Sequence, residues 1–217
     1  MIFAMIKCDV TKLCAVIDRQ AQPKQGKDGH SFLSFSVRLP VSGRDGKTAD
    51  LSISVSVDGD NNPASAYYTG RRVQLSGVLT PRKKGDTIYF NLRASHVEFV
   101  RNSEADAIEA EMHFQGKTGK DRSGKPAIDR RTDKKGNPFL TFAAYSSEKD
   151  GAGREFIWVR FLDFAPEGKD FVKAETFIEV TGALQLGFYN GKTDIGCLVK
   201  EIKLWELVSK QAGNGTE

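Results

Sequence analysis

Residues 157–161 alternate apolar side chains with an indole and a guanidinium, those of Trp158 and Arg160. Because alternate side chains of a β-strand point to opposite faces, these two residues share the face that turns away from an apolar core. Tyr145 and Thr141 take the same outward position in the preceding alternating segment. A flat ring stacks on any base, and arginine binds phosphate or stacks as a planar cation. These residue types predict a surface for an unpaired nucleic-acid strand.

Basic residues gather in residues 117–135, just before the segment of Tyr145, and they outnumber the three aspartates there. A mobile loop of this charge is expected to clamp a phosphate backbone, although any single lysine fits ordinary solvated surface equally well. Phe164, six residues after Trp158, is a further stacking candidate. The predicted phosphate contacts in this loop are Lys117, Lys120, Arg122, Arg130, Arg131, Lys134 and Lys135.

The same aromatic residues also fit a structural interpretation. Trp158 and Tyr145 would then pack against the other half of the chain or a second subunit, since large amphipathic rings are common at such contacts. Phe164 and Trp205 fit packing as well as they fit stacking. The sequence leaves both interpretations open.

The elements that must position these residues occur twice along the chain. Residues 31–37 are matched by residues 138–144, and residues 73–79 by residues 178–184, at a near-constant offset. Each half then closes with a further alternating segment. Any one alternating segment is common in β proteins, whereas a constant offset across separate segments predicts duplication of one domain.

Glycine-containing turns separate the alternating segments within each half, which is typical of an antiparallel barrel or sandwich. Residues 62–68 and 168–173 each predict a short helix between the third and fourth strands. Three strands, a helix and two strands is the order of the OB-fold, a five-stranded Greek-key barrel that binds oligonucleotides on strands 2 and 3. The predicted fold is all-β with short helices, built as two tandem OB-fold barrels.

The expected domain limits follow from this repeat. The linker is acidic and lacks strand alternation, and the tail is small and polar, which predicts that it is flexible. The expected ranges are a first domain over 1–100, a linker over 101–109, a second domain over 110–208 and a tail over 209–217.

Residues 64–79 resemble the helix, glycine turn and Val-x-Val/Ile-x-Gly-x-Leu strand of the bacterial single-stranded DNA-binding (SSB) family. Residues 114–121 are similar to that family's first strand, which ends in Gly-x-x-Gly-Lys-Asp, and residues 157–164 to its Trp-x-Arg strand. The resemblance covers residues 6–208 and is to the tandem-OB variant of the family. It implies binding of single-stranded DNA in replication, recombination or repair, and a homodimer that supplies four OB domains.

The first half departs from the family's pattern because its outward strand positions are serines and Arg38, without an aromatic residue. Arg71, Arg72 and Tyr89 remain candidates for nucleic-acid binding, and Tyr89 fits sealing of the barrel end as well. We therefore expect unequal domains, with the second binding more tightly. A protein-interaction or scaffold subunit that has lost nucleic-acid binding is the alternative.

Composition and motifs narrow the remaining classes of protein function. The net charge of +4 suits an anionic partner. Scattered histidines without a nucleophile elbow or Walker loop predict a protein that is not an enzyme and has no cofactor or metal. Cys8, Cys14 and Cys197 lack close spacing, so we expect reduced, half-buried thiols in a cytoplasmic bacterial protein. No apolar run is long enough for a membrane span, and RNA stays open beside DNA as the ligand.

Overall fold

The computed structural model describes residues 5–43, 45–58, 62–121, 123–150 and 153–205. Nearly all of its elements are β-strands, so the fold is all-β as predicted. The first half contains β1 (Met5–Gln25), β2 (Ser31–Ser42), β3 (Thr48–Asp58), β4 (Arg72–Lys84) and β5 (Thr87–Phe99). The second half contains β6 (Ala107–Thr118), β7 (Ile128–Thr132), β8 (Pro138–Asp150), β9 (Gly153–Asp163), β10 (Phe177–Tyr189) and β11 (Lys192–Leu204).

The period of two in the sequence sets the two faces of these strands. In β3, Leu51, Ile53 and Val55 are buried while the serines between them face outward. In β9, Val159 and Phe161 are buried in the same way. Burial of each such side chain stabilises the fold by about 2 kcal/mol, which fixes the strand register because a slip by one residue would expose the whole apolar row.

Each half closes into a five-stranded barrel. In the first, the pairing runs β1–β2–β3–β5–β4 and returns to β1, with β3 and β5 parallel and the other neighbours antiparallel. In the second, β6–β8–β9–β11–β10 returns to β6, again with one parallel contact, between β9 and β11. This order is the Greek key of the OB-fold. The prediction of two tandem OB-fold barrels is confirmed.

The glycines of the two repeated motifs explain why the repeat was recognisable. Gly77 in β4 has φ of 152°, and a Cβ added there would lie 2.2 Å from the carbonyl oxygen of Arg93. At Gly182 in β10, an added Cβ would lie 2.1 Å from the carbonyl oxygen of Leu198. A register shift occurs at each glycine. Both barrels therefore need glycine where a bulge bends the strand and brings two backbones together.

The barrels are joined by main-chain pairing as well as by the connecting segment. Strand β1 pairs antiparallel with β6, from Cys14 opposite Ala107 to Met5 opposite Gln115, which merges both barrels into one eleven-stranded sheet. Residues 107–109 of the expected linker thus form the first part of β6. A further backbone bridge links Gly43 in the first half to Phe188 in the second. Continuous backbone hydrogen bonding fixes how the barrels are arranged.

The predicted helices are corrected by the structure. The first is only a 3₁₀ turn over Ala64–Ala66. The second is wrong, because the described chain between β9 and β10 forms turns. Asp163 accepts hydrogen bonds there from the Ala165 amide at 2.9 Å and from Lys169 at 2.6 Å. Gly168, with φ of 70°, interrupts any helix that the polar pattern suggested.

The three cysteines are unpaired and buried rather than half-buried. Burial raises the pKa of Cys8 and of Cys197 to about 12, so both stay protonated thiols at neutral pH. Across the described ranges, no three His, Cys, Asp or Glu side chains gather as metal ligands. No helix in the part of the chain that the structure describes has the length and apolarity of a membrane span. The expected tail over 209–217 lies outside the described residues.

Candidate nucleic-acid interface

The outward surface of β8 and β9 brings together the residues that the sequence predicted. Their side chains pair across the strands, with Tyr145 opposite Trp158 and Thr141 opposite Leu162. The inward neighbours on both strands are in the core, as expected. We call this surface the outer β8–β9 face. Its members are Thr141, Ala143, Tyr145, Phe156, Trp158, Arg160 and Leu162.

Three aromatic rings form a cluster at one end of the outer β8–β9 face. The ring centroid of Tyr145 lies 5.0 Å from that of Trp158 and 5.5 Å from that of Phe156. Trp158 and Phe156 are 45% and 41% exposed. Sequence reasoning missed Phe156, although it lies two residues before Trp158 and so must share its face. The rings of Trp158 and Phe156 are therefore accessible to solvent, unlike the side chains of the core.

A glycine holds the tryptophan in position. A Cβ added at Gly119 would lie 2.3 Å from Cζ3 of Trp158, so the indole rests directly on this backbone. The Gly119 amide donates to the Ala143 carbonyl at 2.9 Å, and the Ala127 amide donates to the Gly119 carbonyl at 3.1 Å. The backbone under the ring is thus tied to the sheet. The indole is supported on one side and open on the other.

Arg160 is held at the middle of the outer β8–β9 face by Asp194. Its Nε donates to Oδ1 of Asp194 at 3.0 Å, and its Nη2 donates to Oδ2. This two-bond geometry fixes the plane of the guanidinium, while half of the Arg160 side chain stays exposed. Asp194 was missed because it comes from β11, which neighbours β9 only through the parallel contact of the closed barrel. Arg160 therefore presents a fixed flat cation beside the rings.

A groove of about 480 Å³ lies over the part of this surface that contains Arg160, and its lining does not include the rings of the aromatic cluster. Thr141 and Arg160 of the outer β8–β9 face line it. Arg131 on β7, Gln185 on β10 and Gly196 on β11 line it as well. The groove is partly open to solvent, so it can take a segment of a longer ligand.

The described residues of the basic segment, 117–121 and 123–135, form strand and turns rather than the mobile loop that was expected. Strand β7 pairs with β8, from Ile128 opposite Phe142 to Thr132 opposite Pro138. A turn precedes this hairpin and another closes it, and an aspartate organises each turn. These turns engage two of the three aspartates of the segment, Asp121 and Asp133.

Asp121 accepts from the hydroxyl of Ser123 at 2.7 Å and from the amide of Lys125 at 2.9 Å. Asp133 accepts from Asn137 through the side chain and the amide, each at 2.9 Å. These hydrogen bonds, led by that from Ser123 and by that from the Asn137 side chain, lower the pKa values of Asp121 and Asp133. Both carboxylates are directed at the protein's own donors.

The predicted cations of this segment differ in what they contact. Lys117 and Lys120 flank Glu175 at 3.7 Å and 3.4 Å, and the hydrogen bond from Lys120 is the main cause of the lowered pKa of Glu175. Lys134 and Lys135 are exposed at the β7–β8 turn. These two exposed side chains lie at the turn of the hairpin that β7 forms with β8.

Two arginines of the segment contact acidic partners, and a third residue lies outside the described part. Arg130 lies 3.3 Å from Asp170 and also donates to a backbone carbonyl. Arg131 donates through Nε to Asp129 at 2.6 Å. The side chains of Arg130 and Arg131 are 45% and 63% exposed, so their ion pairs are screened by water. Arg122 falls outside the described residues.

Phe164 continues the row of β9 at the end opposite the aromatic cluster. It is 61% exposed, and its ring centroid lies 6.2 Å from that of Phe139. It is the most exposed large apolar side chain among the described residues of the chain. The outer β8–β9 face therefore has exposed aromatic rings at both ends and Arg160 between them.

Comparisons with known proteins add the following. No protein-family model matches the chain, and no curated protein matches it in sequence. The wild-type single-stranded DNA binding protein of Thermus aquaticus is similar in structure, at 12% identity and a TM-score of 0.49, with 98% of each chain covered. The mitochondrial single-stranded DNA binding protein Rim1 of S. cerevisiae is 19% identical, with a TM-score of 0.33, over 43% of this chain and 91% of its own. Identities of this size say nothing about which residues bind.

The corresponding surface of the first barrel is polar and self-paired. Arg38 lies 3.5 Å from Asp50 across β2 and β3. Asp18 of β1 accepts hydrogen bonds from Ser36 and, at 3.5 Å, from Ser52. A carboxylate thus lies beside two serines of this surface.

The remaining candidates of the first half lie away from the outer β8–β9 face. Arg71 donates to the Ala66 carbonyl at 2.7 Å and stacks 3.5 Å above the ring of Phe99. Arg72, whose side chain is 11% exposed, donates to Asp106 at 2.5 Å. Tyr89 is half-exposed on β5. The structure does not bring these three residues to the site.

Proposed function

We propose that this chain binds single-stranded DNA, without catalysis and without strong sequence preference, along the outer β8–β9 face. The observation that carries the proposal is the exposed ring pair of Trp158 and Phe156 beside the fixed guanidinium of Arg160. Each stacked base contributes about 1–3 kcal/mol, and every base has a π face, so such a surface tolerates any sequence.

An unpaired strand fits this surface better than a duplex does. The rings of Trp158 and Phe164 can stack only on bases that are free of a complementary strand. Lys134 and Lys135 are exposed at the β7–β8 turn, where they would neutralise phosphates of a backbone that follows β9. The resulting affinity would fall with rising salt, because neutralised phosphates release bound counterions.

The direct test is a titration with oligo-dT followed by tryptophan fluorescence. Binding should quench Trp158, and the Trp205→Phe variant should retain the quenching because Trp205 packs on Phe177 at a ring distance of 5.9 Å. The Trp158→Phe variant should lose the optical signal yet keep most of the affinity in fluorescence anisotropy, since phenylalanine still stacks. Competition with oligo-rU separates DNA from RNA preference. No quenching and no salt-dependent retention would instead support a scaffold.

The second candidate function is a protein-interaction or scaffold subunit. The observation that favours it is the polar surface of the first barrel, where the hydroxyl of Ser36 donates a hydrogen bond to Asp18.

For the binding function, we further propose a cytoplasmic bacterial homodimer with four barrels that serves replication, recombination or repair. This proposal rests on the resemblance of residues 6–208 to the SSB family. Light scattering that gives a monomer would remove the homodimer.

A further inference from the structure

A cleft of about 520 Å³ lies between the two barrels, next to the aromatic cluster. The β4–β5 hairpin of the first barrel forms one wall, and the strands of the second barrel form the others. The side chains that define it are Lys83, Ile88, Phe156, Trp158, Phe188 and Lys192.

The two sides of the β4–β5 hairpin have different neighbours. Lys83 pairs with Ile88 across the hairpin, and Arg82 pairs with Tyr89. Directly opposite residues of an antiparallel pair share a face, so Lys83 and Ile88 face the cleft while Arg82 and Tyr89 face away from it. An aliphatic side chain therefore stands across the cleft from the indole of Trp158.

Ion pairs cross the cleft at its mouth. Lys192 of the second barrel lies 3.1 Å from Asp86 of the first, and these side chains are 66% and 87% exposed. Lys83 lies 3.8 Å from Glu155. The exposed pair of Lys192 and Asp86 contributes little because water and salt screen it, so a phosphate can replace Asp86 at small cost. Lys83 and Glu155 are only 25% and 29% exposed, so their pair is less screened and a phosphate at Lys83 would bind beside Glu155.

The width of the cleft is set by the backbone. Pairing of β1 with β6 joins the barrels, and the bridge between Gly43 and Phe188 joins them again beside the cleft. At Gly187, an added Cβ would lie 3.1 Å from the carbonyl oxygen of Ser42, so the two hairpins are in close contact. A site that is already formed loses less entropy when a ligand is bound.

We propose that this cleft takes one unpaired nucleotide of the bound strand. The base lies between the indole of Trp158 and the side chain of Ile88, and the flanking phosphates contact Lys83 and Lys192, where one of them replaces Asp86. The inference rests on the proposed function and deepens it. The first barrel then contributes through its β4–β5 hairpin and not through its serine-rich surface.

The test compares the salt dependence of oligo-dT binding in single variants of the full chain, with circular dichroism to verify folding. Lys83→Gln and Lys192→Gln should each weaken binding several-fold and lower the slope of log K against log salt by about 0.7, the value for one phosphate contact of a single strand. Lys84→Gln is the matched control, because Lys84 is on the same hairpin but does not line the cleft. It should keep the slope of the wild-type protein.

Asp86→Asn gives the sharper result. Removal of a carboxylate from the mouth of the cleft should tighten binding several-fold if phosphate competes for Lys192, whereas a purely structural ion pair predicts unchanged or weaker binding. If Trp158→Ala weakens binding while the Lys83, Lys192 and Asp86 variants all behave like Lys84→Gln, the cleft has no such role and the outer β8–β9 face alone binds. If the wild-type protein fails to bind oligo-dT, the proposed function itself is wrong.

Discussion

The two barrels have the same fold, but their outward surfaces differ in chemical character. In the cores, Phe35 pairs with Val55 in the first barrel where Phe142 pairs with Phe161 in the second. On the outward side, a serine of β3 in the first barrel takes the position that Trp158 holds in the second. Inward positions kept their apolar character because each barrel needs its own core, whereas outward positions were free to diverge.

Each barrel has one outward arginine that is paired with an aspartate, Arg38 with Asp50 and Arg160 with Asp194, and the barrels differ in their other charges. In the first barrel, Asp18 covers the serines and Arg38 is paired with Asp50. In the second, the acids Asp121 and Asp133 bind their own turns, and Lys134 and Lys135 stay at the surface. Under the proposed function, the second barrel supplies the binding surface and the first contributes its β4–β5 hairpin and the pairing of β1 with β6.

The largest change in stability is expected at the bulge glycine that both barrels share. Gly77→Ala and Gly182→Ala should each destabilise the chain by about 3 kcal/mol or more, because the added Cβ would overlap a backbone carbonyl in both. Thermal unfolding measures the loss. Gly46→Ala is the control at a turn that has room for a Cβ and should cost less, although its φ of 77° also favours glycine. Unequal losses at Gly77 and Gly182 would mean that the two bulges are not equivalent.

At the outward positions the barrels should respond differently. Trp158→Ala should weaken oligo-dT binding by about 2 kcal/mol through loss of one stacked base, without unfolding the second barrel. Ser52→Ala, at the corresponding position of the first barrel, should leave binding unchanged. Anisotropy titrations at fixed salt measure both. Loss of the fold in Trp158→Ala would assign the indole to packing rather than to binding.

A graft tests whether the surface of the first barrel can be converted. Ser52→Trp alone should add little affinity, because the carboxylate of Asp18 stays beside the new ring. Ser52→Trp combined with Asp18→Asn should add about 1 kcal/mol, at the low end for one stacked base. The same titration measures the gain. An equal gain in affinity from Ser52→Trp alone would show that the charge of Asp18 does not cause the difference in binding between the barrels.

The smallest effect is expected from the β7–β8 turn. Lys134→Gln with Lys135→Gln should lower the slope of log K against log salt by about 1.4 and weaken binding modestly at low salt. Lys47→Gln, on the β2–β3 turn of the first barrel, is the control and should leave the slope unchanged. An unaltered slope in the double variant would show that the phosphates of the bound strand do not contact this turn.

Several features were predictable because they depend on local rules. Alternation assigned Trp158 and Arg160 to one face and Val159 to the core, and a strand allows no other arrangement. The repeated glycine motifs indicated two copies of one barrel, since a bulge needs glycine at a fixed place in each copy. The helix expected over 168–173 is wrong because Lys169 folds back to the buried Asp163, a contact that polar spacing does not reveal.

The sequence by itself determined the five barrel strands of each half, the duplication and the aromatic and basic character of one surface, because alternation and turn residues act over a few neighbours. It did not reveal β7, which lies in the segment expected to be a loop. Only the tertiary structure decided which cations are engaged by carboxylates. Arg72 meets Asp106, and Arg160 meets Asp194, across long stretches of chain. It also decided that Ile88 and Trp158 line the same cleft. Barrel closure and the pairing of β1 with β6 bring these residues together, and their distant positions in the sequence give no indication of it.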